Sequence, residues 1–448
     1  MSNEEKKANS ILKKLYNNGF EAYIAGGAAR DILLGKKPSD YDIVTNASYG
    51  KLKNIFAKNK ISVVGLSFEV CIIDGIEVAT YRKTESRGTI SEDTYTIYDD
   101  LKRRDLTINA MAINPISGKF IDICGGKNDL RDRIIRFNGS AKERIIEDPC
   151  RILRACRFLS KIEGSFSDDT LYNLKKHNDL AHKIAPERIR LELLKAMVEP
   201  KPSLFFDALN EIDLLNFISP GFKLCYQLDG GPYHNETVAT HIKIAGDSVT
   251  NKKPLLRLAT FFHDHGKPYS SSIKADGSIT FLKHELIGAD VVEKELRKLK
   301  FSIKEVSYIR DLVKYHLRSI DEKTKSKTVR KFLRELKDHN ICWKDWLIIK
   351  IADRKANLKK ANFTKDEIKT IVLKIYNEIC SKSKPRAFHV KDLNIKGRDV
   401  IDLLKIKQGP TIGIIMEKTL EYVLDDPSKN KYEKLVKFVL NLKKKLDL

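Results

Sequence analysis

Residues 23–45 read YIAGGAARDILLGKKPSDYDIVT, and the order of signals in this stretch decides the fold of the first part of the chain. Tyr23-Ile24-Ala25 is a short β-like run leading into Gly26-Gly27, and the segment after it has helical spacing as far as Gly35, a helix-stopping glycine. Asp40-Tyr41-Asp42-Ile43-Val44 then reads as a strand. Further along, Val63-Val64, Phe68 to Ile73 and Ile76 to Thr80 are strand candidates, the last two joined by Asp74-Gly75, a strong hairpin signal. With the opening helix these segments predict a mixed sheet carrying helices.

From about Glu147 the period changes. RILRACRFLSKI, ERIRLELLKAMV and SLFFDALNEIDLL are spaced at i, i+3, i+4, i+7, so the remainder is expected to be nearly all α. The fold class is therefore α+β. LDGGPYHN marks a boundary near residue 230, and a Lys-rich helical region follows residue 360. The expected divisions are 1–138 (sheet domain), 139–230 (helical neck), 231–360 and 361–448 (helical). The final KNKYEKLVKFVLNLKKKLDL is an amphipathic helix whose basic face suits solvation or RNA contact equally.

With 83 Lys+Arg against 60 Asp+Glu, the net charge of +23 points to a polyanionic partner. Nucleic acid is favoured over an anionic membrane, because no segment pairs a basic stripe with a Trp/Phe/Leu stripe. The N-terminus lacks an apolar signal region and no stretch reaches about 18 uninterrupted apolar residues. The expected location is cytoplasmic. Seven scattered cysteines without a C-x-x-C pair argue against a disulfide framework or a cysteine zinc site.

Asp40 and Asp42 alternate along the expected strand, so both carboxylates project from one face. Glu77, in IEVATYR, is the natural third acid. Carboxylates so grouped hold Mg²⁺, which prefers carboxylate and phosphate oxygens. Gly26-Gly27 between strand and helix lets backbone approach phosphate, with Arg30 and Asp31 just beyond.

YIAGGAARDILLGKKPSDYDIVT, DLKRRDLTINAMAIN and RIIEDPCRILRACRFLSKI, in that order over roughly residues 20 to 200, resemble the motifs of the class II tRNA nucleotidyltransferase (CCA-adding enzyme) and bacterial poly(A) polymerase family, a branch of the polymerase β-like nucleotidyltransferases. The resemblance implies a nucleotidyltransferase head and an enzyme that adds nucleotides to the tRNA 3′ end without a template, using CTP and ATP. It implies Asp40 and Asp42 as ligands to Mg²⁺, Gly27 and Arg30 as triphosphate contacts and Arg104 as a nucleotide contact. Glu77 joins them as the third catalytic acid.

In EDPCRILRACR, Asp148 precedes Pro149 where a helix N-cap is expected, and Arg151, Arg154 and Arg157 follow at i+3 steps on roughly one face. A carboxylate accepts from the exocyclic amine of cytosine or adenine and meets a carbonyl on guanine or uracil. One Asp/Arg pair thus admits C and A and rejects G and U. By the resemblance Asp148 and Arg151 are that protein template, with Arg154 and Arg157 contacting phosphate or supporting the others. Asp105 is expected to orient Arg104 or to bind a sugar hydroxyl. Glu187 and Arg188 are read as helix-start chemistry with no catalytic role.

KTESRGTISEDTYTIYDDLK, after Arg82, corresponds to the family's flexible loop and is short, which keeps addition of CC alone open. Glu85, Arg87, Glu92 and Asp93 supply its charges. Downstream, His241, His263-Asp264 in ATFFHDHGKP and Asp353 have the spacing of HD-domain metal phosphohydrolases, with His284 and His316 able to widen the site to a second metal. A transition metal suits this donor set. The expected function is CCA addition to tRNA from CTP and ATP, releasing pyrophosphate by a two-metal mechanism; CC addition only, poly(A) synthesis and HD phosphohydrolysis as the main activity are the alternatives. The oligomeric state is left open.

Overall fold

The computed structural model describes residues 2–38, 40–64, 70–81, 95–380 and 389–446. They form two compact units: Met1–Lys223 with Asn251–Pro254 and Lys298–Lys300, and Leu224–Thr250 with Leu255–Arg297 and Phe301–Leu448.

The first unit is built on a seven-stranded sheet. Its strands are β1 (Ala22–Ala25), β2 (Asp42–Thr45), β3 (Ile61–Val64), β4 (Val70–Ile73), β5 (Ile76–Thr80), β6 (Met111–Asn114) and β7 (Lys119–Asp122), in the order β3-β4-β5-β2-β1-β6-β7. Only β2 and β5 run parallel; all other neighbours are antiparallel. The β4–β5 hairpin turns at Asp74 and Gly75, with φ of 52° and 91°. Two successive positive φ values are what a two-residue hairpin turn needs, and Asp-Gly supplies them at low cost.

Alternate residues of the central strands bury opposite faces, as the period of two requires. Ala22, Ile24 and Ile43 enter a core with Ile11, Leu12 and Leu15 of α1 (Asn3–Asn17). Tyr23, Ala25 and Val44 enter a second core with Tyr81 and with Ile97 and Leu101 of α4 (Ile97–Lys102). Between β1 and β2 lies α2 (Gly27–Leu33), and α3 (Tyr49–Ile55) follows β2. Helices take over after α5 (Gly126–Arg131): α6 (Ala141–Glu147), α7 (Cys150–Ile162), α8 (Asp168–Lys176) and α9 (Pro186–Ala196).

The second unit is mainly helical. Its last part packs Gly397–Leu404, Pro410–Asp425 and Tyr432–Leu446 around Leu393, Ile395, Val400, Leu420, Leu435 and Val439. Against the expectation of a nearly all-helical remainder, short strands occur in both units. Two-residue strands pair Ile134–Ile135 with Ser165–Phe166, and a hairpin joins Ser271–Ile273 to Ile279–Phe281. The hairpin turns at Asp276-Gly277, where Asp276 Oδ1 accepts from Ser278 N–H at 2.9 Å and Gly277 has φ of 79°. That Asp-Gly is the same signal as Asp74-Gly75, set among helical segments. No described helix is long and apolar enough to cross a membrane.

Candidate active site and metal cluster

Parallel pairing of β2 with β5 sets Asp42 opposite Glu77 as Cα partners. Asp42 shares its face with Val44, the face covered by α4, so both acids lie at the rim of that core. Asp40 departs from expectation, because the strand begins at Asp42 and Asp40 precedes it. The physical reason is register: continuing the ladder by two residues would set Asp40 opposite Gly75 in the hairpin turn, where β5 has not yet begun. Asp40 nonetheless adds its charge to Asp42. Burial raises the Asp42 carboxyl most, Glu77 and Asp40 raise it further and Arg104 opposes them, leaving its pKa up at about 6. A carboxylate held up by burial and by two neighbouring acids suits a divalent cation, so the residues fit Mg²⁺.

Gly26, with φ of 66° and ψ of −125°, closes β1 and starts α2. A Cβ there would lie 2.6 Å from Arg104 Nη1. Glycine therefore serves both the backbone bend and the close approach of Arg104. Asp100, fully buried, orients Arg104 through Nε at 3.2 Å and Nη2 at 2.9 Å, and also pairs with Arg103 at 2.6 Å. The expected orienter, Asp105, instead pairs with Arg154 of α7, which it meets at 2.7 and 2.6 Å. Asn109 continues the chain, donating to Asp105 at 3.2 Å and accepting from Arg30 Nη1 at 2.5 Å. Arg30 is 2% exposed, binds Asp31 Oδ1 at 3.1 and 3.0 Å, and stacks 5.1 Å over Phe158. It is thus turned inward, while Gly27 beside it remains half-buried.

Asp148 links α6 to α7 and caps the latter, its Oδ1 accepting from Cys150 N–H at 3.1 Å. Both its oxygens also accept from Arg188 of α9, at 2.9 and 2.7 Å. Burial raises the Asp148 carboxyl, but the Arg188 and Cys150 hydrogen bonds outweigh it and hold it below the usual carboxylate range. Arg151 pairs with Glu147 and donates to the Arg144 carbonyl at 3.0 Å. Arg157 is buried, donating to Glu192 at 2.7 Å and Glu199 at 2.9 Å. The three arginines of the stripe therefore have distinct partners. Glu85, Arg87, Glu92 and Asp93 lie outside the described residues.

In the second unit four histidines converge. His263 Nδ1 faces the Thr260 carbonyl at 2.7 Å, His284 Nδ1 the Phe281 carbonyl at 2.8 Å and His316 Nδ1 the Val313 carbonyl at 2.6 Å. A carbonyl only accepts, so each Nδ1 carries a proton and Nε2 is the nitrogen turned to the other donors. His241 Nε2 lies 3.3 Å from His263 Nε2 and 3.1 Å from Asp353 Oδ1, and His284 Nε2 lies 3.4 Å from His316 Nε2. Asp264 sits between the pairs, Oδ2 at 3.3 Å from His263 and Oδ1 at 3.3 Å from His284. Among the described residues three sets of donors converge: His241, His263 and Asp353; Asp264, His284 and His316; and His234, Glu236 and His241. Imidazole nitrogens and carboxylate oxygens converging at such distances fit a metal, and imidazole nitrogen suits a transition metal.

Asp100, Asn109 and Glu236 are not singled out by the sequence, and Arg188, read there as helix-start chemistry, pairs instead with Asp148. Asp100 sits in the stretch DLKRRD and was legible as an i, i+4 partner of Arg104. Arg188 lies 40 residues from Asp148 and gives no local sign of the pairing.

Three family models match: the poly A polymerase head domain over residues 22–136, a probable RNA- and SrmB-binding site of polymerase A over 165–225, and the HD domain over 233–358. A CCA-adding enzyme of Ligilactobacillus salivarius is 41% identical over 44% of this chain, a match spanning 51% of that relative's length. A CCA-adding enzyme of Lactococcus lactis is 28% identical over 99% of this chain and 97% of its own length, and poly(A) polymerase I of Haemophilus influenzae is 29% identical over 68% and 73%. The crystal structure of the Bacillus stearothermophilus CCA-adding enzyme in complex with CTP superposes with a TM-score of 0.73 at 23% identity, covering 100% of this chain and 99% of that one. At that identity the likeness is one of fold.

Proposed function

We infer the function of this chain from its membership of the class II tRNA nucleotidyltransferase and bacterial poly(A) polymerase family, with a C-terminal HD domain: it adds CCA to the tRNA 3′ end from CTP and ATP without a template. The observation that carries this reading is Asp42 opposite Glu77, with Asp40 close enough to raise the Asp42 carboxyl, beside the Gly26-Gly27 turn. Named relatives supply the choice of tRNA: a CCA-adding enzyme was solved with CTP and another, from Thermotoga maritima, with tRNA.

Asp40, Asp42 and Glu77 would hold Mg²⁺. When bound, such ions supply positive charge to the attacking 3′ hydroxyl and the leaving pyrophosphate. Gly27 leaves backbone free beside the triphosphate and Arg104, set by Asp100, adds a guanidinium there. Arg30 acts from beneath, through Asn109 and Asp105, on Arg154 of the base-reading helix. Asp148 accepts the exocyclic amine of cytosine or adenine, and Arg151 donates to the ring. Arg188 occupies a share of the Asp148 acceptor sites, of which a carboxylate has about four, so room for the amine remains. Arg157 packs the helix in place. The excess of Lys and Arg, a net charge of +23, favours binding of the RNA backbone.

The test is incorporation of labelled CMP into tRNA lacking CCA. Asp42→Asn should raise the barrier by several kcal/mol, slowing incorporation about 10²-fold or more, with a melting temperature in the absence of divalent cation no lower than the wild type's; undiminished incorporation would remove the acids from the reaction.

A second reading rests on the converging histidines: a metal site for phosphoester hydrolysis held by His241, His263, Asp264 and Asp353, with His284 and His316 completing a second position. Divalent metal there supplies an activated water when bound.

A further inference from the structure

Of the four converging histidines, three fix their Nδ1 proton on a backbone carbonyl three residues earlier in their own segments. His241 differs. Its Nδ1 lies 3.2 Å from Oε1 of Glu236, a side chain that is 1% exposed. The same Oε1 lies 2.6 Å from His234 Nδ1. Oε2 accepts from the backbone N–H of Asn235 at 3.0 Å and of Leu358 at 3.1 Å. The carboxylate therefore meets four donors.

Two of those donors matter for the cluster. Leu358 follows the helix Trp343–Ala356 that carries Asp353, and Asn357 Nδ2 donates to the Tyr233 carbonyl at 3.2 Å. His241 stands on the neighbouring helix Val238–Ser248. Glu236 thus joins the end of one ligand-bearing helix to the ring of the other. We propose that Glu236 is a positioning residue of the HD-domain cluster, fixing His241 in the Nδ1–H tautomer with Nε2 turned toward His263 and Asp353.

This inference rests on the metal reading of the cluster. A carboxylate behind a ligand imidazole both orients the ring and strengthens it as a donor, and losing such a partner typically costs about 10- to 100-fold in metal affinity. A carboxylate that only capped the segment 232–236 would have no such effect at one position of the cluster and none at the other.

The full chain is titrated with Mn²⁺ and the free ion is followed by electron paramagnetic resonance, for the wild type and for Glu236→Gln. The wild type should take up two ions. In the variant one should weaken about 10- to 100-fold while the other, at Asp264, His284 and His316, stays within about 3-fold. Equal affinities in the two proteins would overturn the role of Glu236 while leaving the cluster intact. A wild type that takes up no Mn²⁺ would overturn the metal reading and this inference with it. An amide cannot satisfy four donors, so the variant's fold is checked by its melting curve. Independently of any variant, ¹⁵N-histidine spectra of the ¹¹³Cd-loaded wild type should show cadmium coupling at Nε2 of His241 and a retained proton on Nδ1. Coupling at Nδ1 would contradict the proposal.

Discussion

Arg188 grips both carboxylate oxygens of Asp148, at 2.9 and 2.7 Å, from a helix that begins nearly forty residues downstream. Neither residue is fully buried: their side chains are 49% and 31% exposed. A pair so open to water contributes little to stability, about 0–1 kcal/mol. Its consequence lies instead in direction. Asp148 is held with its plane fixed and its carboxyl below the usual carboxylate range, which on the proposed reading sets it before a base arrives.

Arg188→Ala should therefore separate selectivity from folding. Loss of a bidentate constraint on a base-reading carboxylate is worth about 1–3 kcal/mol, so incorporation of C and A should fall about 10-fold or more and discrimination against G and U should narrow. Single-nucleotide incorporation with each of the four triphosphates measures this. Thermal unfolding should move little; a large fall in melting temperature with selectivity intact would make the pair structural.

Arg157→Ala should do the reverse. Its guanidinium lies between Glu192 and Glu199, with all three side chains under one-tenth exposed. Removing it takes the shared guanidinium from two buried carboxylates, leaving Lys195 at 3.3 Å from Glu192 and Lys161 at 3.9 Å from Glu199, and breaking a buried pair typically costs about 3–5 kcal/mol. Denaturant unfolding of the variant should show a loss of that order, and base selectivity in the folded fraction should match the wild type.

Gly26→Ala tests the turn under Arg104. The backbone there has φ of 66° and ψ of −125°, a conformation costing a residue with a Cβ about 1–3 kcal/mol. The added carbon would also displace the Arg104 guanidinium. The expected result is a raised KM for nucleotide together with a lower melting temperature; unchanged KM would remove Arg104 from the nucleotide site.

The Asp42 carboxyl gives a pH dependence. Its pKa is raised to about 6 in the folded chain from an ordinary 3.8. Between those values the folded state binds the extra proton, so without divalent cation stability falls as pH rises from about 4 to about 6 and levels off above. A cation needs the ionised form. Mg²⁺ should then raise the melting temperature at pH 7.5 and much less at pH 5, and nucleotide addition should decline as pH drops through about 6. A Mg²⁺ effect independent of pH would contradict the assignment.

Much of the first unit was legible because its signals are local. Asp74-Gly75 announces the hairpin, and Gly26-Gly27 between a strand and a helix announces the turn. The H…HD…D pattern named His241, His263, Asp264 and Asp353, which stand on the helix Val238–Ser248, in the turn after Pro254–Phe262 and on Trp343–Ala356. What stayed hidden depends on tertiary register and on partners far apart in sequence. The exclusion of Asp40 from β2 is set by where β5 begins. The pairing of Asp105 with Arg154 rather than Arg104, separated by 49 residues, and of Glu236 with both His241 and Leu358, is invisible to periodicity. The hairpin at 271–281 was readable at Asp276-Gly277 but lay within a helical context that outweighed it.

The most direct test of nucleotide addition is extension of three tRNAs, ending before CCA, after C and after CC, each with CTP, ATP or both, resolved at single-nucleotide length. The account predicts stepwise growth to CCA and then arrest, with C added only from CTP and the final A only from ATP. Arrest at CC would assign the last step to another enzyme, long A tails would place the chain with the poly(A) polymerases, and no extension of any tRNA would contradict the transferase assignment itself.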